Sequence, residues 1–489
     1  MNLIAMLAAH AERIERNIAY ARSQKNNHGI SEGVGLWTIG LLFPEFQQSE
    51  GWRHLGQQVI EEEVDRQVYD DGSYVQHSIN YHRLMLHDCL WAIRLGEVNK
   101  TPLSSSVYRR VSKAVEFLYQ LVDHESGRAP NYGGNDSALV LPLNTGDITD
   151  FRPVLQAGHY LVCNEHLFPP GSWDEDLLWL FGSEALRRKP DFTPASKPAN
   201  LSAPIGGYYT LHSQESWAMV RSARYHSRPH DADQLHLDLW WKGVNIACDA
   251  GTYLYDGSPP WRNGLSTTLV HNTVSVDSRD QMTRAGTFLW LDWADGQALR
   301  QLKSYGGNLD YWEGSHFGYL RLDSPVHCSR AIIRLPEESW LILDRLHSQN
   351  EHVYRLHWLL ADFPYAYDQG CISLKTPVCD YHVEVGSIPG PGEISLVRGD
   401  PTGVRGWRSV YYGQKEPTIS LALCTRANTL WFWTLFSPSK PKIAIANNDL
   451  SIKGSAHHVH VALAPEDNRR LVRSITSTGA IDDLLEVVE

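Results

Sequence analysis

Apolar residues follow two different rhythms along this chain. Over roughly the first 190 residues they recur every three to four positions, the period of a helix with one buried face. Leu3, Ile4, Leu7, Ile14 and Ile18 fit one such face, and Val34, Trp37, Ile39 and Leu42 fit another. The same spacing runs through residues 59–69, 82–95, 107–122 and 173–186. Asp71-Gly72, Thr101-Pro102 and Pro169-Pro170-Gly171 separate these stretches as turn signals. The pattern predicts seven or eight helices.

A stretch over 189–207 holds Pro190, Pro194, Pro198 and Pro204 and few apolar residues, so it reads as a boundary. Beyond it the rhythm changes to period two. Leu235, Leu237 and Leu239 alternate with His236, Asp238 and Trp240. Residues 273–276, 332–335, 353–358, 429–433 and 458–462 are further strand candidates, with turns such as Pro389-Gly390-Pro391-Gly392 between them. Short strands without intervening helices predict an antiparallel β-sandwich. The expected organisation is a helical domain over 1–190, a linker over 191–207 and a β domain over 208–489, an α+β multidomain chain.

Composition narrows the functional classes. Apolar content of 42% is ample for sizeable cores and excludes disorder as the main state. No run of ~18 apolar residues marks a membrane-spanning helix. The net charge of -12 argues against a nucleic-acid partner, although a local basic cleft can still oppose the global field. The 17 Trp residues are read first as core, with stacking against the C–H face of a sugar as the functional alternative. Seven scattered Cys show no paired motif. The expected location is cytoplasmic as the sequence stands, or periplasmic or secreted if the natural start lies upstream.

Nucleotide-binding glycine loops and H-E-x-x-H are absent, and no organic cofactor is expected. His, Asn, Tyr and Asp instead cluster at turn-like places. Asn26-Asn27-His28-Gly29 opens a helix. Asn27 is there either a helix cap or, with its neighbour, a donor to a carboxylate. Ser78-Ile79-Asn80-Tyr81-His82 opens another helix, and Asn131-Tyr132-Gly133-Gly134-Asn135-Asp136 forms a loop rich in turn formers. The densest stretch runs from Arg221 through Arg224, Arg228, His230, Asp231 and Asp233 to His236. Asp249 and His271 follow. Asp and His at adjacent strand ends can ligate Zn²⁺, or else form a hydrogen-bonded polar network.

At these residues the sequence resembles the heparinase II/III-like polysaccharide lyases. The resemblance runs from about Asn26 to Asp277 through NNHGISEGVGLW, FPEF, DDGSYVQHSINYHRLML, NYGGNDSALVLPL, HDADQLHLDLWWKGVNIACDAGTYLY and LVHNTVSVD. It implies an incomplete (α/α) toroid followed by an antiparallel β-sandwich, and β-elimination on uronic-acid polysaccharides. In that chemistry a base takes the C5 proton, an acid protonates the departing glycosidic oxygen, and neutral donors stabilise the charge growing on the carboxylate. The resemblance implies Tyr81 as acid and Asn27 and His28 as the carboxylate-neutralising pair. His230 is the nearest base, one place out of register. Asn135, Tyr132, His82, His236 and Arg228 are candidate substrate contacts, with His236 also an alternative base or ligand.

The resemblance further implies a divalent metal on Asp231, Asp249 and His271. Asp231 stands where many relatives carry His. Zn²⁺ is the first candidate, Ca²⁺ or Mn²⁺ the alternatives. Only 25 residues precede Asn26, fewer than the family's toroid usually has. The expected partner is an acidic polysaccharide, with no nucleic acid or membrane, and a homo-oligomer is left open. Arg221, Arg224 and Arg228 offer a local anion site. Two other readings compete. One is a glycan-binding protein without catalysis. The other is a glycoside hydrolase using two of Asp70, Asp71 and Asp136.

Overall fold

The computed structural model describes residues 3–188, 198–446, 449–464, 470–480 and 482–487. It divides into two compact units. One comprises Met1–Pro198 together with His226–His230, and the other comprises Ala199–Tyr225 together with Asp231–Glu489. Pro190, Pro194 and residues 191–197 of the expected linker lie outside the described residues. The end of that interval is not a spacer, because Ser202–Ala203 pairs with the strand Tyr208–His212.

The first unit is helical: α1 (Leu3–Ser23), α2 (Asn27–Leu42), α3 (Ser49–Gln67), α4 (Ile79–Val98), α5 (Ser105–Leu121), α6 (Arg152–Cys163) and α7 (Glu175–Phe181). Glycines let α2 and α3 approach closely. A Cβ at Gly40 would sit 2.5 Å from the Arg53 nitrogen, and one at Gly56 would sit 2.5 Å from the Trp37 nitrogen. The single helix expected over 173–186 is interrupted at Gly182, whose φ of +84° ends α7. Helix α6 has Pro153 in its first turn and stops at Asn164 in the left-handed region (φ 54°).

Helix α4 is buried on most sides and carries ionisable groups inward. Asp88 accepts a hydrogen bond from Ser31 Oγ at 2.6 Å, and burial pushes its carboxyl up to about 7. The folded state then holds this proton longer than the unfolded chain does. Stability is lost as pH rises from the unfolded value of ~3.9 towards 7, and the cost persists above. We expect Asp88→Asn to stabilise the protein by roughly 1–3 kcal/mol more at pH 8 than at pH 4. Urea unfolding at the two pH values checks this, and an equal difference at both would exclude it.

The second unit is antiparallel β. Its largest sheet has 15 strands, and a five-stranded sheet spans Lys442–Ala446 to Asp483–Glu486. The strands Ser339–Leu360 and Ile419–Ser437 pair along most of their lengths and form the spine. Period-two alternation sorts their side chains. Ile342, Tyr354, Leu356, Trp358, Leu430, Phe432 and Phe436 enter one core. Leu341, Leu343, Trp431, Trp433 and Leu435 enter another, shared with Leu450, Ile452, Val459 and Val461 of the five-stranded sheet. The strand expected from Leu235 starts only at Leu237, because Leu235 adopts φ 61°. Most of the tryptophans are structural. Trp37, Trp52, Trp290, Trp312, Trp340 and Trp358 are fully buried.

Candidate functional site

In the helical unit, two helix starts and one loop are tied together. Asn26 caps α2 by accepting from the His28 N–H at 3.1 Å. The cap is therefore Asn26, and Asn27 occupies the first helical position. The Asn27 N–H donates to Gln76 Oε1 at 2.7 Å, which anchors this start to the segment preceding α4. Ser78 caps α4 by accepting from the Tyr81 N–H at 3.1 Å. Ser78 Oγ also donates to the Gly134 carbonyl at 2.5 Å, and the Ile79 N–H donates to the Tyr132 carbonyl at 3.2 Å. The glycine loop is thereby stapled onto the start of α4. Gly133 has φ +77°, and a Cβ there would lie 2.0 Å from the His77 carbonyl, so the approach requires glycine.

This stapling brings Tyr81 to Asp136: the phenol donates to Asp136 Oδ2 at 2.7 Å. Asp136 Oδ1 accepts from the Ala138 N–H, which fixes the carboxylate. Asn135 joins the same loop, its Nδ2 donating to Asn131 Oδ1 at 2.8 Å and its Oδ1 accepting from the Ser137 N–H. Tyr81, Asn27 and Asn135 are partly exposed, and His28 is exposed. One turn beyond His28, burial raises the carboxyl of Glu32 while His28 opposes the shift.

Two expected substrate contacts are not at the surface. His82 is fully buried, its Nε2 3.0 Å from the Ala114 carbonyl and its ring stacked on Phe117. Burial pushes it down to about 4, so it is a neutral core residue. Tyr132 is also fully buried. Both sit where a helix start packs inward, so their neighbours, and not they, face solvent. The segment His226–His230 belongs to the helical unit although the chain around it is β. Ser227 Oγ donates to the Val75 carbonyl at 2.6 Å, and His226 meets Tyr69 edge-on. His230 is half-buried and Arg228 exposed on this segment.

The β unit holds a second cluster. Asp231, Asp233 and His271 each place one ligand atom within 4.8 Å of the others. Asp249 Oδ2 lies 3.7 Å from His271 Nε2 and 3.5 Å from His236 Nε2. These atoms are buried; Asp233 Oδ2 is ion-paired with Arg221 Nη1 at 3.1 Å, whereas His271 Nε2 has no hydrogen-bond partner. Hydrogen bonding separates the two imidazoles. His271 Nδ1 is 2.8 Å from the Thr267 carbonyl, so it carries the proton and leaves Nε2 with a lone pair. His236 Nδ1 accepts from the Asn272 N–H at 3.1 Å, so its proton sits on Nε2, facing Asp249. Burial pushes His236 down to about 4 despite Asp249. His236 is thus a fully buried donor towards Asp249, which removes it as base, substrate contact and ligand.

Arg221 is also buried and pairs with Asp233 at 3.1 Å, so it is no part of an open anion site. Asp70 pairs with Arg110 at 2.5 Å, and Asp71 holds the Ser73 turn. The sequence did not mark Asp233 as a ligand, Asp136 as the partner of Tyr81, or Gln76 as the anchor of Asn27. Asp233 had a signal in its place two residues from Asp231. The pairing of Asp136 with Tyr81 and of Gln76 with Asn27 had none, because each joins positions about 50 residues apart.

A helical unit followed by a large antiparallel β unit, with polar donors at helix starts and a His/Asp cluster at strand ends, defines a two-part α-then-β class. Solved structures share the fold. A heparinase III structure matches with a TM-score of 0.67 and 17% identity over 94% of this chain and 67% of its own. A heparan sulfate lyase from Pedobacter heparinus matches with a TM-score of 0.65 and 17% identity over 97% and 68%. The chain belongs to the heparinase II/III-like family. Residues 1–137 match the heparinase II/III N-terminus, and residues 195–457 match the heparinase II/III-like C-terminal family. Heparin-sulfate lyases of Bacteroides thetaiotaomicron and Pedobacter heparinus are 27% and 26% identical over 59% and 70% of this chain. The chain spans 42% and 47% of their lengths, less than half.

Proposed function

We propose that the chain is a carbon–oxygen lyase that cleaves uronic-acid-containing polysaccharide by β-elimination. The observation that carries this reading is the Tyr81–Asp136 pair, held at the start of α4 in the unit that also bears Asn27, His28 and His230. A free phenol has a pKa of ~10 and is protonated at neutral pH. Its hydrogen bond to a fixed carboxylate orients the hydroxyl. Tyr81 gives its proton to the departing glycosidic oxygen. His230 takes the C5 proton, and the amide of Asn27 and the imidazole of His28 stabilise the charge that develops on the uronate. Asn135 and Arg228 contact the polymer. An incomplete (α/α) toroid is the reading of the helical unit that goes with this chemistry, and the names of the relatives support an acidic glycosaminoglycan-like substrate.

The test is ultraviolet absorbance during incubation with heparan sulfate, hyaluronan, chondroitin, alginate, glucuronan and bacterial exopolysaccharides. Elimination leaves a C4=C5 double bond conjugated to the carboxylate, and absorbance rises. New reducing ends without absorbance would replace this reading with hydrolysis. Binding without new ends would leave a glycan-handling protein.

The β-unit cluster fits one divalent cation, Zn²⁺ first and Ca²⁺ or Mn²⁺ otherwise. Its donors are a buried imidazole, whose Nε2 on His271 has no hydrogen-bond partner, and buried carboxylates. Asp231, Asp233, Asp249 and His271 would hold it, and the ion would neutralise their charge and brace the strand ends. We expect metal analysis of the purified protein to show one ion per chain. A chelator should lower Tm, and the cation should restore it. Metal-free protein whose Tm ignores all three cations would exclude the site.

A further inference from the structure

Away from both clusters, the β unit holds a lysine boxed in by aromatic rings. Lys415 Nζ lies 3.4 Å from the ring centre of Trp261, 3.8 Å from that of Trp407 and 5.6 Å from that of Tyr253. The two indoles stand nearly perpendicular, at 84°. The ammonium therefore sits in a corner of negative ring faces.

The corner is rigid. The loop carrying Lys415 is fastened to the loop carrying Tyr253 through the Ser409 N–H to the Ala250 carbonyl (2.8 Å) and the Gly413 N–H to the Tyr253 carbonyl (2.9 Å). Ser409 Oγ donates to the Thr252 carbonyl, and the Tyr412 hydroxyl accepts from the Tyr255 N–H at 3.0 Å. Trp407 Nε1 donates to the Asp400 carbonyl at 2.7 Å, which orients its ring. Among the described residues no carboxylate pairs with Lys415. The nearby Glu416 is taken by Arg408 at 2.6 Å. Burial among the rings holds the ammonium below its usual range. All four residues remain partly open to solvent, and Tyr411 and Phe288 present exposed rings close by in the chain or through Tyr255.

A half-buried cation without a counter-ion, framed by aromatic rings, matches a sugar ring that carries both an anionic group and apolar C–H bonds. We propose that Lys415, Trp261, Trp407 and Tyr253 form a binding subsite for an acidic sugar residue, with the Lys415 ammonium on its carboxylate or sulfate and aromatic edges against the ring. Lys415 already fills the aromatic corner, so a quaternary ammonium ligand is excluded. The inference deepens the lyase reading by giving the polymer a foothold on the β unit, and it rests on that reading for the choice of an acidic glycan.

The test is calorimetric binding of size-defined oligosaccharides from the same panel of polymers to the full chain, wild type and Lys415→Met. Carboxyl-reduced, desulfated versions serve as neutral controls, and inorganic sulfate tests for a bare anion site. We expect Lys415→Met to weaken the acidic oligosaccharide by about tenfold. Lys415→Arg should retain most of the affinity, and the neutral controls should bind both proteins equally weakly. Equal affinity of wild type and Lys415→Met, or a lowered Tm in Lys415→Met without a change in affinity, would overturn the proposal in favour of a packing role. Competition by sulfate alone, with no preference for the sugar, would also overturn it. Lys415-dependent binding without elimination would sink the lyase reading and leave this subsite. Elimination with no Lys415 effect on affinity would do the reverse.

Discussion

Tyr81→Phe is expected to lower kcat for elimination by ~10²–10⁴-fold, the usual contribution of a positioned general acid. The substitution removes one oxygen and keeps the ring that packs at the start of α4. The cap from Ser78 runs to the backbone of residue 81 and survives. Lost with the oxygen is the 2.7 Å hydrogen bond to Asp136, a cost of about 1 kcal/mol. Tm should therefore move little while the absorbance assay falls to near background. KM should change far less than kcat, because a proton donor acts chiefly in the transition state. Asp136→Asn separates chemistry from orientation. It leaves the phenol in place and should give a smaller loss. A Tyr81→Phe protein that retains full elimination on every susceptible polymer would remove Tyr81 as the acid.

The second large effect is on stability. Arg330 is completely buried on the strand His327–Leu335, opposite Asp344 on Ser339–Leu360. Its Nε and Nη2 reach the two Asp344 oxygens at 2.7 and 3.0 Å, and Nη1 donates to the Leu235 and Asn272 carbonyls at 2.7 and 2.6 Å. Those carbonyls belong to the residues just before His236 and just after His271, so one guanidinium braces both sides of the His/Asp cluster. Arg330→Met leaves a buried carboxylate and two carbonyls without their partner. A loss of ~3–5 kcal/mol is expected in urea unfolding. Arg330→Met with Asp344→Leu should recover much of it, since replacing both members of a buried pair with apolar groups is often nearly neutral.

The pH dependence provides an independent readout. Burial already raises Asp344, with Arg330 opposing. Without Arg330 only the raising influence remains, so the folded state of the variant binds its proton more tightly than the unfolded chain does. The deficit of Arg330→Met should then shrink at acidic pH and grow towards pH 8. A deficit under 1 kcal/mol at pH 8 would show that the pair is not bracing the strands.

Element type was legible in the chain because it follows from local periodicity. A face of apolar residues every three to four positions has to become a helix to be buried, and alternation has to become a strand. Hence stretches of α1 to α5, and residues 353–358 and 429–433 of the two spine strands, could be read directly, as could the order of helical and β parts. Asn26, Asn27 and Tyr81 stood out as residue types at helix starts. The sequence did not say which of two adjacent polar residues points outward. His82 and Tyr132 were indistinguishable from Tyr81 and Asn135 by type, and only packing against Phe117 and the α4 start turned them inward. His236 and His271 look alike in sequence, yet a backbone N–H on one and a backbone carbonyl on the other give them opposite tautomers. The Tyr81–Asp136 pair and the Lys415 corner join positions that no local rule connects. The sequence by itself determined which elements form, because burial of an apolar face is a property of neighbouring residues. Which polar groups meet was decided by the tertiary structure, because hydrogen bonds and ring contacts depend on where distant backbones are brought.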